Sequence, residues 1–281
     1  MKIFFMAELT ILKANGEHEP FSLEKIKRTA MRAQADELLA SRVAHEVEQK
    51  AYDGISTKEI LHLIRNSLAA HSPVVASRYG LKEAILKLGP TGFDFEKYLV
   101  YVFRAYGYHA ELPPLLQGMC VTHEVDLLIE KDKRRGMVEA KLHHDPIYVG
   151  IQVTMATWAR FLDLVDAGQI GKCPHLDEVW MVTNGKFSHE SLQFGHCKNM
   201  ILLGWNHPKE RPLSAWIDDK HLYPITILYH LSAEEHRMLV DANIILVSQL
   251  LEHKPYELQH ILHTSEERIT ELCRVSEGLL K

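Results

Sequence analysis

Long apolar runs, paired cysteines and an excess of basic residues are all missing from this sequence of 281 residues. No run approaches the roughly 18–20 apolar residues that span a bilayer, and we expect neither a membrane segment nor a signal peptide. The four cysteines form no CxxC pair, which is typical of a reducing compartment rather than a disulfide framework. We therefore expect a cytoplasmic protein.

The charge balance also limits the class of partner. A net charge of −5 gives no global signal of nucleic-acid binding, so any such surface must be a local patch. Hydrophobic residues make up 46% of the chain and charged residues 25%, which is ordinary for a globular protein. The length indicates two or three domains.

Three regions differ in the secondary structure that their patterns predict. Asn15-Gly16 separates two short segments and predicts a β-hairpin, after which the chain to about residue 89 is helical in pattern. Helices then alternate with apolar strands such as "HEVDLLIE" and "EVWMVTN", which indicates an α/β core with a mixed sheet. Short helices follow to the end. We expect an α/β protein of three parts, residues 9–89, 90–210 and 211–281.

The segment "MVEAKL" carries an acid and a base on one face of an apolar strand. Val138 and Ala140 would face the core, whereas Glu139 and Lys141 would face the other way. A hairpin through "KDKRRG" would bring this strand beside Asp126, in the apolar segment "EVDLLI". Two carboxylates and the carbonyl of Ala140 would suit Mg²⁺ or Mn²⁺. The alternative is a solvated strand face with an internal salt bridge.

The order "GFDFEKYLVYVFRAYGY", "HEVDLLIE" and "VEAK" resembles the PD-(D/E)xK nuclease fold, and more narrowly the Mrr-like restriction endonuclease domain. The proline that names the motif is absent, and Val125 precedes Asp126. The resemblance implies a Mg²⁺-dependent DNA endonuclease of restriction or phage defence. Asp126, Glu139 and Ala140 would hold the metal, and the catalytic residues that it implies are Glu96, Asp126, Glu139, Lys141 and Gln152.

A basic run occupies the turn between the two strands of this motif. It consists of Lys131, Lys133, Arg134 and Arg135, which we expect to contact DNA phosphates beside the metal site. The alternative is a solvated hairpin turn. Because cutting two strands usually needs two active sites, we also expect a homodimer or a higher homo-oligomer.

The segment "ILKANGEHEPFSLEKIKRTA" resembles the ATP-cone, a nucleotide-binding regulatory domain of ribonucleotide reductases. The resemblance covers about residues 9–89 and implies regulation by ATP or dATP. Lys13 and Lys25 would contact phosphates, Glu19 the sugar or base, and Ile26 the base pocket. Ala14 replaces the arginine that is usual in the family, which weakens or abolishes affinity. The alternative is a plain hairpin with solvated lysines.

The C-terminal segment "LSAEEHRMLVDANIILVSQLL" looks like a helix-hairpin-helix module with Asn243 in its hairpin. Such a module would hold the DNA backbone, whereas the alternative is a helical cap packed on the core. For the whole chain, the alternative to a nuclease is a non-catalytic, nucleotide-sensing DNA-binding or regulatory protein. The sequence leaves DNA and RNA as open choices of substrate.

Overall fold

The structure is a computed structural model that describes residues 9–13, 15–88, 93–143 and 148–281. Two predictions lie outside the described residues, namely the effect of Ala14 and the domain boundary at residues 89–92. The chain divides into two compact units. The first contains the residues up to Leu81 together with Ile227–His230 and Glu267–Lys281, and the second contains Lys82–Thr226 and Leu231–Glu266.

Helices and short strands follow one another along the described chain. The first elements are β1 (Thr10–Leu12), β2 (His18–Pro20), α1 (Leu23–Arg32), α2 (Glu37–Lys50), β3 (Ile55–Ser56), α3 (Thr57–His71) and α4 (Pro73–Tyr79). Next come α5 (Leu81–Leu86), α6 (Phe93–Ala105), β4 (His109–Glu111), β5 (Leu116–Gln117), β6 (Thr122–His123), β7 (Leu127–Lys131), β8 (Arg134–Lys141), β9 (Tyr148–Val149) and α7 (Ile151–Gln169). The last are β10 (Glu178–Thr183), β11 (Lys186–Phe187), α8 (His189–Cys197), β12 (Ile201–Leu203), α9 (Leu213–Asp219), a 3₁₀ helix (Ile225–Ile227), α10 (Ala233–Asp241), α11 (Val247–Glu252), α12 (Pro255–Leu262) and α13 (Glu266–Leu279).

Single residues divide the longer helices that the sequence predicts. Gln34 adopts a φ of 66°, and Asp36 accepts a hydrogen bond from the Leu39 amide at 2.7 Å. The helical pattern after Ser22 is therefore two helices, because Asp36 starts a new one as its N-cap. Gly80 likewise separates α4 from α5.

The first unit is mainly helical, with a three-stranded sheet in the order β2-β1-β3. The predicted hairpin is confirmed, but the Lys13 amide donates to the Glu17 carbonyl at 2.8 Å, so its loop has three residues rather than two. Apolar residues of α1 to α4, including Ile26, Val43 and Leu68, form its core. The C-terminal helix α13 joins this unit, where Arg78 donates to the Leu279 carbonyl at 3.2 Å.

The second unit contains a five-stranded mixed sheet in the order β12-β10-β8-β7-β4, so the predicted α/β class is confirmed. Side chains of β10 alternate between two buried faces. Met181 packs in the cluster that contains Phe161 of α7, while Trp180 lies 5.4 Å from Phe103 of α6 by ring centroids. Among the helices that the structure describes, none combines the length and the apolar character needed to cross a bilayer.

Strand direction defines one edge of this sheet as the place where polar side chains meet. Strands β8, β10 and β12 are parallel, whereas β7 is antiparallel to β8. Lys141 and Thr183, paired at the ends of β8 and β10, therefore lie at the same edge as the start of β7. We call this the carboxyl edge, and the turn between β7 and β8 lies at the opposite edge.

Candidate functional site at the carboxyl edge

Asp126 reaches β8 directly. β7 begins at Leu127, so Asp126 precedes the strand instead of lying within it as the sequence predicts. Its Oδ2 accepts a hydrogen bond from the amide of Ala140 at 2.7 Å. This bond fixes Asp126 beside Glu139, as the proposed hairpin requires. The contact that Ala140 makes with Asp126 is through its amide, whereas its carbonyl was the predicted metal ligand.

Glu139 is a buried carboxylate held by two cations. Only 4% of the residue is exposed, and its two oxygens contact Lys141 Nζ at 2.6 Å and Arg160 Nη1. Val138 and Ala140 are also buried, so β8 carries core residues and charges in alternation. Because an unpaired buried carboxylate is costly, the two cations make the position of Glu139 tenable.

Several carboxyl groups lie close together at this edge, and two of them have raised pKa values. Burial, followed by the charges of Asp126 and Glu124, raises the pKa of Glu96 on α6 to about 7. Burial and the charge of Glu139 raise the pKa of Asp126 to about 6, although the Ala140 amide opposes this. The charges that raise these pKa values come from neighbouring acids, which is typical of a site shaped to accept positive charge.

Four of the five predicted catalytic residues therefore interact with one another, namely Glu96, Asp126, Glu139 and Lys141. Gln152 stands apart. It is exposed in the first turn of α7, and its side chain forms no hydrogen bond to the other described residues. Its predicted contact with water or DNA has no geometric support beyond its position on the helix that also carries Arg160.

Arg160 is the residue at this site that the sequence analysis missed. It lies in the middle of α7 with about 29% of its side chain exposed, and it contacts Glu139 across the sheet face. Arg160 is the single basic residue of α7. That isolated cation in an amphipathic helix was the available signal, but no spacing rule links it to Glu139, which lies 21 residues away along the chain.

Asn184 was also missed, and it fastens the chain just beyond the site. It is 1% exposed, accepts from the His143 amide at 2.8 Å, and donates to the His143 carbonyl at 3.0 Å. These two bonds tie the segment that follows Lys141 to the segment that follows β10. No local pattern signals this contact, because Asn184 and His143 lie 41 residues apart along the chain.

The donor set suits a hard divalent cation in its chemistry. Asp126 and Glu139 provide carboxylate oxygens, which Mg²⁺ and Mn²⁺ prefer, with water completing the shell. Within the described residues, no group of three or more acidic, His or Cys side chains is arranged to hold a metal. Lys141 and Arg160 engage both oxygens of Glu139, so a cation would need one of them to move. As the side chains stand, a cation would compete with these two ion pairs for the oxygens of Glu139.

The basic turn does not lie beside this site, contrary to the prediction. Lys131 pairs with Arg134 at the far end of the hairpin, five residues or about 17 Å from Asp126. Arg134 contacts Glu178 at 3.3 Å, Arg135 contacts Glu130 at 2.6 Å, and Lys131 donates to the Tyr106 carbonyl. The sequence distance was misleading because the two strands are antiparallel and the turn is their distal end.

In the first unit, the residues predicted to bind nucleotide meet at the hairpin. Glu19 Oε2 contacts Lys13 Nζ at 3.0 Å and Lys25 Nζ at 3.1 Å. Hydrogen bonds from both lysines lower the pKa of Glu19, and its partner Lys13 has a raised pKa. Ile26 differs from the prediction of a base pocket, since it is 4% exposed within the helical core.

The hairpin between α10 and α11 has the predicted left-handed residue, because Asn243 adopts a φ of 61°. The amides of residues 242–247 nevertheless all donate to protein acceptors. Gln249 accepts two of them, from Ile245 at 2.8 Å and Leu246 at 2.9 Å. A helix-hairpin-helix module holds phosphates with such amides, so this geometry favours the alternative of a packed helical cap.

Comparisons with known proteins identify family matches at both ends of the described chain, a relative and a similar solved structure. Residues 9–82 match the ATP cone domain family, and residues 223–280 match the family described as AF1548-like, C-terminal. An uncharacterized protein of Archaeoglobus fulgidus is 33% identical over 156 residues, which cover 56% of this chain and 85% of that protein. The crystal structure of the "Protein of Unknown Function AF1548" has a TM-score of 0.56 and 29% identity, covering 67% of this chain and 97% of that one.

The hairpin and helices of residues 9–82 thus form an ATP-cone domain, which indicates a nucleotide ligand. The predicted resemblance of the N-terminal region is confirmed. The chain belongs to the family of the Archaeoglobus fulgidus protein, and its C-terminal segment matches the AF1548-like, C-terminal family.

Proposed function

We propose that this chain is a nuclease that hydrolyses phosphodiester bonds in DNA with Mg²⁺ or Mn²⁺, under the control of ATP or dATP. The observation that carries the proposal is Glu139, a buried carboxylate placed beside Asp126 and held by Lys141 and Arg160. The resemblance of "HEVDLLIE" and "VEAK" to the PD-(D/E)xK and Mrr-like motifs supports the same reaction.

Each residue of the site has a role in this proposal. Asp126 and Glu139 would hold the cation, whose chemistry is to neutralise charge on the scissile phosphate and to acidify bound water. Lys141 Nζ, about 35% exposed, would orient the attacking water and balance the developing negative charge. Arg160 holds Glu139 from α7 and would move toward the phosphate when the carboxylate turns to the cation.

Nucleotide control would act through the lysines that Glu19 now holds. Both lysines contact a single carboxylate oxygen of Glu19, and all three side chains are at least partly exposed. The phosphates of ATP or dATP carry more negative charge than one carboxylate, so they would compete with Glu19 for Lys13 and Lys25. The nucleotide would thereby rearrange the β1–β2 hairpin.

A plasmid-nicking assay tests the proposal. Supercoiled plasmid is incubated with the full chain and Mg²⁺ or Mn²⁺, with and without ATP and dATP. We expect metal-dependent nicking that falls at least 100-fold in Glu139→Gln, a substitution that keeps the shape but removes the charge. Lys198→Gln, in the exposed turn between α8 and β12 at the opposite edge of the sheet, is the matched control, since it removes a charge from a lysine outside every proposed site. Equal nicking by both variants would refute the assignment of Glu139.

A second function is favoured by one specific observation. Lys141 and Arg160 already neutralise Glu139, so the cluster is complete as an ion-pair network without a metal. The chain would then be a non-catalytic, nucleotide-sensing protein whose second unit binds DNA. Binding of plasmid without nicking, at any concentration of either metal, would establish this function in place of the first.

A further inference from the structure

A small parallel ladder lies just beyond the strand ends at the carboxyl edge. Strands β9 and β11 pair there, with Tyr148 opposite Lys186 and Val149 opposite Phe187. The Ser188 amide extends the ladder by donating to the Val149 carbonyl at 3.0 Å. Lys186 follows Thr183, the partner of Lys141, by three residues, so no more than about 10 Å of chain separates it from the site.

The two faces of this ladder differ in character. Val149 and Phe187 are 1% and 5% exposed and pack in the core of the second unit. Paired side chains on adjacent strands project to the same side, so Tyr148 and Lys186 both lie on the outer face. Tyr148 is 54% exposed, and Lys186 Nζ lies 5.9 Å from its ring centroid. The outer face therefore presents an aromatic ring with a cation beside it.

A second lysine carries its charge near Lys186. Burial lowers the pKa of Lys82 on α5, and the nearby positive charge of Lys186 lowers it further. Within the parts of the chain that the structure describes, neither lysine forms an ion pair. Arg134 and Arg135 of the distal turn are each paired with a glutamate. Two neighbouring ammonium groups without described counter-charges attract an external anion.

We propose that Tyr148, Lys186 and Lys82 form a subsite that binds a single strand of nucleic acid leading to the candidate active site. The tyrosine ring stacks on a base, and the two ammonium groups contact the adjoining phosphates. Exposed aromatic rings among cations on an open surface are typical of proteins that bind single strands with little sequence preference. The subsite rests on the proposed function, because it supplies the strand on which Asp126, Glu139 and Lys141 act.

Strand binding by the full chain in EDTA tests the subsite without any cleavage. The probes are a fluorescein-labelled oligo-dT, the matching oligo-U and a duplex of equal length, measured by fluorescence anisotropy. We expect Tyr148→Ala to weaken single-strand binding by about tenfold, whereas Tyr148→Phe keeps the ring and the affinity. Lys186→Ala and Lys82→Ala should each reduce the slope of log K against log salt by about 0.7.

Lys198→Gln, in the exposed turn between α8 and β12 at the opposite edge of the sheet, is the control and should bind as the wild type does. Tyr148 is exposed, so its substitution leaves the core intact, and unchanged thermal unfolding of the variants checks this. Wild-type affinity in Tyr148→Ala would overturn the subsite, as would a wild type that binds neither oligonucleotide. If the protein nicks plasmid but fails this test, the nuclease proposal is retained and the subsite is rejected. Tyr148-dependent binding without nicking would keep the subsite and remove the nuclease.

Discussion

The two ends of the β7–β8 hairpin show how differently charged residues behave on the same pair of strands. At the carboxyl edge, burial raises the pKa values of Asp126 and its neighbour Glu96, and the charges of nearby acids raise them further. At the distal turn, Arg134 and Arg135 are each neutralised by a glutamate. About 17 Å of strand separates the ends, more than a Debye length at physiological salt.

The comparison teaches that a run of like charges in a sequence is a poor guide to where a charged ligand binds. Three of the four residues of the basic run have protein partners. Even Arg134, whose side chain is 64% exposed, is paired. The charged residues of the carboxyl edge are spread singly along the sequence, yet the fold brings them together where burial strengthens their interactions.

Arg160→Leu should have the largest effect on stability. Its loss leaves Glu139 buried with Lys141 as its remaining described cation. We therefore expect the free energy of unfolding to fall by about 2 kcal/mol, which is less than for a fully buried pair because Arg160 is partly exposed. Arg134→Ala removes the exposed pair with Glu178 and should cost less than about 0.5 kcal/mol. Urea unfolding with unchanged m-values measures both.

A double-mutant cycle with Glu139→Gln serves as the control for Arg160→Leu. The two changes should be non-additive, because each removes the same interaction. Equal effects of Arg160→Leu and Arg134→Ala would mean that the two ends of the hairpin do not differ in this way.

Asn184→Ala should have the next largest effect. The substitution leaves the amide and carbonyl of His143 without their partner at a position where Asn184 is 1% exposed, and we expect a loss of about 1–2 kcal/mol. Asn184→Asp retains an acceptor for the His143 amide but places a buried carboxylate against the His143 carbonyl, so it should destabilise the chain at least as much as alanine at neutral pH. Hydrogen exchange at the His143 amide reports the loosening, and unchanged protection in Asn184→Ala would contradict the prediction.

Asp163 and Asp126 have pKa values shifted in opposite directions, and the shift of Asp163 predicts how stability depends on pH. Burial opposes its ionisation, but hydrogen bonds from His123 at 2.7 Å and from Cys120 hold the pKa of Asp163 at about 2. Because this folded-state pKa is below the ordinary value of 3.8, Asp163 stabilises the folded chain above about pH 4, and this contribution is lost as the pH falls toward 2. The destabilising effect of Asp163→Asn should therefore shrink over that range in urea titrations. A constant difference from pH 6 to pH 2.5 would show that Asp163 is not the titrating group.

Much of the local structure was predictable because its causes lie within a few residues. Ser22 and Ser56 cap helices from positions just before them, and Ser56 forms a reciprocal pair with Glu59. The alternation in β8 of buried apolar residues with Glu139 and Lys141 follows from the two-residue period of a strand. The ATP-cone was recognisable for the same reason, since its motif is nearly contiguous in the sequence.

Other features were not predictable because they join distant positions. Arg160 meets Glu139 across 21 residues, and Asn184 meets His143 across 41. Tyr148 and Lys186 lie opposite each other only because β9 and β11 are parallel, and that pairing depends on how β8 and β10 are arranged. No local propensity encodes such contacts.

The sequence by itself determined which residues carry charge on a buried strand, where helices are capped, and that an ATP-cone precedes an α/β region. Tertiary structure alone decided which of those charges are neutralised. Strand β8 and helix α7 place Lys141 and Arg160 on Glu139, while the antiparallel direction of β7 carries the basic turn away from Asp126. The physical reason is that capping and periodicity act over a single turn or strand, whereas the strength of a charge depends on burial and partners contributed by the whole fold.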